Sequence, residues 1–234
     1  MYTYLLLLLA SIAFPVSYSF ESKIAFYKRW TSLFVSIAIV ALFFIVWDIY
    51  FTRIGVWSFN PQYILGIYIS ELPLEECLFF IFIPYSCVFI YESLNYFIKE
   101  DYLKKYSKFI TIATIVVLVA VAIMNTDKAY TFVTFILTAS FLGFHYVLFK
   151  DKYLGRFYVA YLVHLIPFFI VNGILTSYPV VVYNDQENLG IRLGTVPIED
   201  SMYSLLMLLM NITLYEYFNG KKFFVKNNEK KIMI

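Results

Sequence analysis

Two pairs of adjacent carboxylic acids are the residues of this chain best suited to chemistry. Glu75-Glu76 follows Pro73-Leu74, Glu199-Asp200 follows Pro197-Ile198, and each pair opens a long apolar run. A proline at a helix start loses no intrahelical hydrogen bond, and carboxylates in a first turn are favoured by the exposed N–H groups there. Capping accounts for one acid of each pair. Adjacent helical residues point about 100° apart, so the other acid faces apolar neighbours or the interior of a bundle. A carboxyl in such a place requires a partner, a proton or a chemical role. Paired acids in one apolar site can divide into a proton donor and a proton acceptor.

The pairs belong to a longer repeat. At an offset of 124 residues Pro73 falls on Pro197, Glu75 on Glu199, Glu76 on Asp200, Tyr91 on Tyr215 and Glu92 on Glu216. Upstream, Leu65-Gly66-Ile67 falls on Leu189-Gly190-Ile191, Asn60 on Asn184 and Asp48 on Asn172. The elements that must position these residues are membrane helices. With 62% hydrophobic residues and several apolar runs near twenty residues long, the chain has more apolar surface than a soluble domain can hide.

The runs predict an all-α polytopic membrane protein with seven transmembrane helices, over 2–20, 32–51, 74–97, 107–124, 130–149, 157–175 and 198–217. The first run lacks a basic flank and a cleavage signal, which predicts a retained helix. The first three spans correspond to the last three, giving repeat units 1–106 and 125–220, a connector helix 107–124 and a basic tail 221–234. One inserted helix keeps both units in the same orientation, so the repeat is parallel, and a pseudo-twofold axis along the membrane normal can bring both acidic pairs to one cavity. Fifteen of the eighteen Lys and Arg residues fall in alternate connections and the tail, which predicts a cell-membrane protein with its N-terminus outside and its C-terminus cytoplasmic. The tail reads as a membrane-lipid anchor, and the net charge of +2 gives no case for nucleic acid. The acidic ends then lie at the outer level, under two loops of about twenty residues. Their apolar stretch Tyr63-Ile64-Leu65-Gly66-Ile67-Tyr68-Ile69 predicts a segment folded back over the bundle mouth.

Other motifs are unspecific or absent. Cys77 and Cys87 lie about 15 Å apart along one helix, too far to bridge, and read as packing residues. His164 and His145 read as neutral, hydrogen-bonded residues unless they face the acids. The sequence contains no HExxH, CxxC, DDxxD or GxGxxG, so no metal, diphosphate or dinucleotide chemistry is expected. Every lysine lies in a loop, the tail or, for Lys108, at the very start of a span, which argues against a retinal Schiff base. A proton-coupled transporter built from parallel repeats suits the pattern as well as an enzyme does.

Gly55-Val56-Trp57-Ser58-Phe59-Asn60-Pro61, the two Leu-Gly-Ile turns and the two proline-carboxylate motifs together resemble the small membrane-integral lycopene cyclases. In that family two homologous units occur as a heterodimer or fused, and this sequence is similar to the fused form over essentially its whole length. The resemblance implies redox-neutral closure of acyclic carotenoid ψ-ends to β-rings, with lycopene as substrate, no cofactor, and other membrane enzymes of carotenoid synthesis as partners. Relatives that cyclise C50 carotenoids, and redox-neutral hydratases, remain alternatives. Ring closure requires a carboxylic acid that protonates the terminal double bond, a base for the released proton, and aromatic faces around the cation. The resemblance places catalysis at Glu75, Glu76, Glu199 and Asp200, with either member of the first pair as acid and either member of the second as its partner. Asp48, Asn60 and Asn172 are expected to orient them by hydrogen bonds. Trp57, Phe59, Phe79, Phe80 and Tyr203 are candidates to line the cation site, although ordinary packing explains aromatics in a chain this rich in them. Asn172 in place of Asp48, and the missing second copy of Trp57, predict one catalytic and one supporting half.

Overall fold

The computed structural model describes residues 2–220, and the basic tail 221–234 lies outside them. Seven α-helices occur among the described residues: α1 (Thr3–Tyr18), α2 (Trp30–Arg53), α3 (Leu74–Phe97), α4 (Lys104–Met124), α5 (Ala129–Phe149), α6 (Leu154–Ser177) and α7 (Ile198–Gly220). α1 packs on α3, α5 on α7, and α2 lies against both α3 and α7. α4 rests outside them on α5 and α6. The connections carrying Lys23, Lys99 and Arg156 meet at one end of the bundle. The acidic pairs open α3 and α7 at the other.

The seven spans predicted from the apolar runs become five. Phe26–Arg53, Leu74–Phe97, Lys104–Met124, Ala129–Phe149 and Leu154–Ser177 are long and apolar enough to cross a membrane, which makes this a multi-pass membrane protein. α1 has 16 residues, about 24 Å of helix against a hydrocarbon core of about 30 Å. α7 fails for a different reason. It carries Glu199, Asp200 and Glu216 and is buried along most of its length, so its surroundings are other helices and its sequence need not be apolar all round.

The 124-residue correspondence is visible in the loops. β1 (Trp57–Phe59) pairs antiparallel with β4 (Val181–Tyr183), placing Trp57 opposite Tyr183, Ser58 opposite Val182 and Phe59 opposite Val181. Because 58 and 182 are themselves 124 apart, this pairing maps onto itself and Ser58–Val182 marks a local twofold axis. The flanking bonds are reciprocal: the Asn60 amide donates to the Val180 carbonyl and the Asn184 amide to the Val56 carbonyl, both at 2.9 Å. At the far end the Tyr91 hydroxyl donates to Glu216 and the Tyr215 hydroxyl to Glu92, at 2.6 and 2.8 Å. The axis therefore runs the length of the bundle.

Each long loop ends in a small hairpin that delivers the chain into an acidic helix. β2 (Tyr68–Ile69) pairs with β3 (Leu72–Pro73), and β5 (Arg192–Leu193) with β6 (Val196–Pro197). Gly66 and Gly190 precede them at φ of 78° and 72°, a left-handed backbone that favours glycine. The hairpins cover the mouth only in part. Ile64 is buried, but Ile67, Tyr68 and Ile69 are about half exposed, contrary to the expectation that this apolar stretch is buried in protein. The bundle buries Leu72 and Pro73 of β3 and leaves β2 on the outer edge of the hairpin.

Candidate active site

The two members of each acidic pair have different surroundings. The Leu65 amide donates to Glu75 Oε1 at 2.6 Å, and the equivalent Leu189 amide donates to Glu199 Oε1 at 2.7 Å. The first acids thus tie each loop to the helix that follows it. Thr131 of α5 adds a 2.7 Å bond to Glu199. Both residues are fully buried, and the second oxygen of each has no hydrogen-bond partner among the described residues. One position further round the helix, Glu76 and Asp200 turn into a common cavity between the halves.

Tyrosines surround the acids in that cavity. Tyr4, at the start of α1, donates to Glu76 Oε2 at 2.6 Å, and Tyr130, at the start of α5, donates to Asp200 Oδ1 at 2.5 Å. Tyr183 of β4 adds a 2.8 Å bond to Asp200 Oδ2. Asp48 of α2 accepts from Tyr203 of α7 at 2.8 Å and lines the same cavity as Glu76. Burial, and then the charge of Asp200, hold the Tyr183 hydroxyl well above the usual phenol range, so it stays a donor. The cavity has a volume of about 60 Å³ and is lined by these acids and tyrosines with Trp57, Phe59, Phe79, Phe168 and several aliphatic groups. No Lys, Arg or His side chain is among its lining residues. The Trp57 and Tyr130 rings meet edge to face at 5.1 Å, while Tyr130 stacks on Tyr183 at 5.9 Å. The arrangement can hold and pass protons in apolar, aromatic surroundings.

A family model described as lycopene cyclase matches residues 1–94 and 127–218. The chain belongs to the lycopene cyclase family. Its similar relatives include the bifunctional lycopene cyclase/phytoene synthase of Pyrenophora tritici-repentis, 38% identical over 76 residues, which are 32% of this chain and 12% of that protein. The protein of the same description from Colletotrichum graminicola is 40% identical over 65 residues, 28% of this chain and 11% of the relative. The aligned stretches are therefore a small part of these much longer curated relatives. No solved structure matches the chain.

Against this lycopene cyclase family background, the sequence candidates separate by location. Trp57, Phe59, Phe79, Tyr203 and Asn172 line the cavity, as do Asp48, Glu76 and Asp200; Glu75 and Glu199 do not. Phe80 is also absent from the lining, because its ring stacks on Phe44 at 5.8 Å in the core. Asn60, expected to orient an acid, instead accepts from the Gln62 amide within its own loop at 3.0 Å. Asn172 donates to the Phe168 carbonyl one turn back in α6, not to a carboxyl. His164 contacts Cys87 Sγ at 3.2 Å and Ser204 at 2.8 Å and is not itself in the cavity lining. Glu92 pairs with Arg29 at the far end. Among the described residues no group of three or more His, Cys, Asp or Glu is arranged to hold a metal ion.

Sequence reasoning missed Tyr4, Tyr130 and Tyr183. The first two occupy like places at the starts of α1 and α5, but 126 residues apart, so the ungapped 124-residue comparison does not pair them. The halves are unequal where it matters to the site. Asp48, Tyr203 and Tyr183 have Asn172, Phe79 and Phe59 as their counterparts, so the additional polar groups lie on one side of the axis.

Proposed function

We propose that the chain is a cyclase of acyclic carotenoid ends, closing the ψ-end of lycopene to a β-ring by acid–base catalysis. The observation that carries this reading is the convergence of the Asp48, Glu76 and Asp200 carboxyls on one aromatic-lined cavity that has no Lys, Arg or His side chain in its lining. Buried carboxyls that crowd together without a cation favour the protonated form, and that proton is the reagent the reaction needs. Passed to the terminal double bond, it leaves a tertiary cation. The neighbouring alkene attacks the cation, forming the ring bond and moving the positive charge to a ring carbon. Loss of a proton from the adjacent carbon restores a double bond. Asp200, with two phenol donors to stabilise its carboxylate, is positioned to accept that proton. The sum is an isomerisation, with one proton added, one removed and no electron donor or acceptor required.

Each neighbour has a role in this scheme. Tyr4 and Tyr203 orient the donor pair, while the faces of Trp57 and Tyr203 offer negative charge to the migrating cation. Glu75 and Glu199 fix the entry of each helix so that the next residue points inward. The basic connections at the opposite end support an orientation with the acidic end outside and the Lys- and Arg-rich end in the cytoplasm. Purified protein in lipid, supplied with lycopene alone, is expected to yield β-ended carotenoid. A strict requirement for added flavin or metal, or failure to consume lycopene at all, would remove this reading.

A further inference from the structure

We infer that the substrate's polyene chain reaches the acids sideways from the bilayer, through an apolar groove between α1, α3 and α6 that has no counterpart across the twofold axis. The inference rests on the cyclase reading and adds to it a binding site, an entry path and the residues that shape them. The acid cavity, at about 60 Å³, is smaller than the cavity of about 150 Å³ that holds benzene, so it cannot by itself contain a ring-forming end with a chain attached. The remainder of the molecule must lie elsewhere. A groove of about 400 Å³ adjoins the cavity, and Phe79, Ile83, Phe168 and Asn172 line both. From there it runs past Cys87 and Pro167 to Phe14, which is 60% exposed on the outer face of the bundle. Its continuity with the acids, taken with the cyclase reading, makes the polyene chain of the substrate its occupant.

The corresponding position across the axis, between α5, α7 and α2, is filled. There Phe44 stacks on Phe80 at 5.8 Å and on Trp47 at 5.5 Å, and Trp47 reaches Tyr203 at 5.0 Å. The residues 124 positions from Phe44, Trp47 and Phe80 are Phe168, Val171 and Ser204. Two large rings on one side thus correspond to an isopropyl group and a hydroxymethyl group on the other. The missing ring volume is the groove. The surface hollow on the filled side, formed by α2 residues with Leu137, shares no lining residue with the acid cavity. Among the described residues the groove is thus the lateral route that joins the acid cavity, and a chain lying in it presents one end per visit.

The test rebuilds the filled side on the open one. Val171→Trp should lower lycopene turnover per folded molecule by at least about tenfold, because the chain can no longer lie in register with the acids, and Val171→Phe should lower it by less. Val46→Trp, which adds the same bulk to the hollow on the filled side, should leave turnover unchanged. A second readout needs no turnover. In an Asp200→Asn background, the lycopene retained by protein purified from lycopene-loaded vesicles should fall with Val171→Trp and not with Val46→Trp. Unchanged lycopene turnover in V171W, an equal effect of V46W, or equal lycopene retention with and without V171W would each overturn the inference. Retention of lycopene that V171W abolishes, in a protein that forms no cyclic product, would keep the groove and remove the cyclase reading instead.

Discussion

The two ends of the bundle use the same pair of groups and differ in what stands beside them. At each end tyrosine hydroxyls donate to buried or half-buried carboxyls across or near the twofold axis: Tyr203 to Asp48 at one, Tyr91 to Glu216 and Tyr215 to Glu92 at the other. At the far end Arg29 pairs with Glu92, and Lys23, Lys99 and Arg156 line the same polar cavity. At the acidic end three carboxyls share a cavity that contains no cation. A guanidinium beside a carboxylate compensates its charge and makes the cluster a clamp. On the proposed reading a cluster without one keeps its protons, and a proton held in an apolar cavity can be donated. The proposed chemistry at one end and the fastening at the other then follow from the position of a few cations.

The contrast is broken most severely by removing protons from the acidic end. E76Q, D48N and D200N keep shape and remove the exchangeable carboxyl, and each should lower lycopene cyclisation by at least about 10²-fold at equal membrane abundance. E92Q, the same chemical change at the fastening end, should leave turnover per folded molecule near wild type. Equal losses from E76Q and E92Q would erase the distinction. The next largest effect is on stability. R29M strands Glu92 without its cation, and because the Arg29 side chain is 41% exposed the cost should be about 1–3 kcal/mol, less than for a fully buried pair. Thermal unfolding in detergent measures it, with turnover below the transition unchanged.

Smaller effects are expected from the first acid of each pair. E75Q and E199Q weaken one loop-to-helix tie each and should lower stability by roughly 0.5–2 kcal/mol, with E199Q the larger because Thr131 also bonds Glu199. Turnover per folded molecule should fall far less than in E76Q; an equal fall would move catalysis to the first acids. The smallest effect lies on the hairpins. Hydrogen bonds from Ser70 and then Arg53 hold Glu71 below its usual carboxylate range, as Arg192 and Asn188 do for Asp185. Folded values lower than unfolded ones mean that these bonds stabilise the hairpins above the ordinary carboxylate range and release them as pH falls through the lowered values. Amide exchange in the hairpins should therefore quicken on acidification, and E71Q should remove that response from β2–β3 without changing turnover at neutral pH.

Much of the site's plan was legible in the sequence. The ungapped offset brought Glu75-Glu76 and Glu199-Asp200 to like places, and the 100° between neighbours required one acid of each pair to turn inward. Which one turns inward depends on the Leu65 and Leu189 amides, contacts made across ten residues of irregular loop that helical periodicity does not describe. The same ambiguity affects Phe79 and Phe80, adjacent on one helix and divided between cavity and core. Tyr4 and Tyr130 lie in apolar runs about seventy residues from the acids they bond, where nothing local marks them. Counting apolar runs overstated the spans for an energetic reason: a helix such as α7, surrounded by other helices, exchanges lipid contact for polar contact and can contain three acids.

The position of α7 also sets a schedule for assembly. It supplies Asp200 and Tyr203 to one end of the bundle and Tyr215 and Glu216 to the other, yet it is the last described helix to leave the ribosome. Synthesis from the end of α3 to the end of α7 covers more than a hundred residues, on the order of ten seconds at roughly 5–20 residues per second. During that interval Glu76, Asp48 and Glu92 are already in the nascent bundle. Two of them have a provisional partner made earlier, Tyr4 for Glu76 and Arg29 for Glu92, while Asp48 receives its Tyr203 bond only with α7. The incoming helix finds those two acids held in place, and its arrival closes the cavity and the far-end clamp in one event.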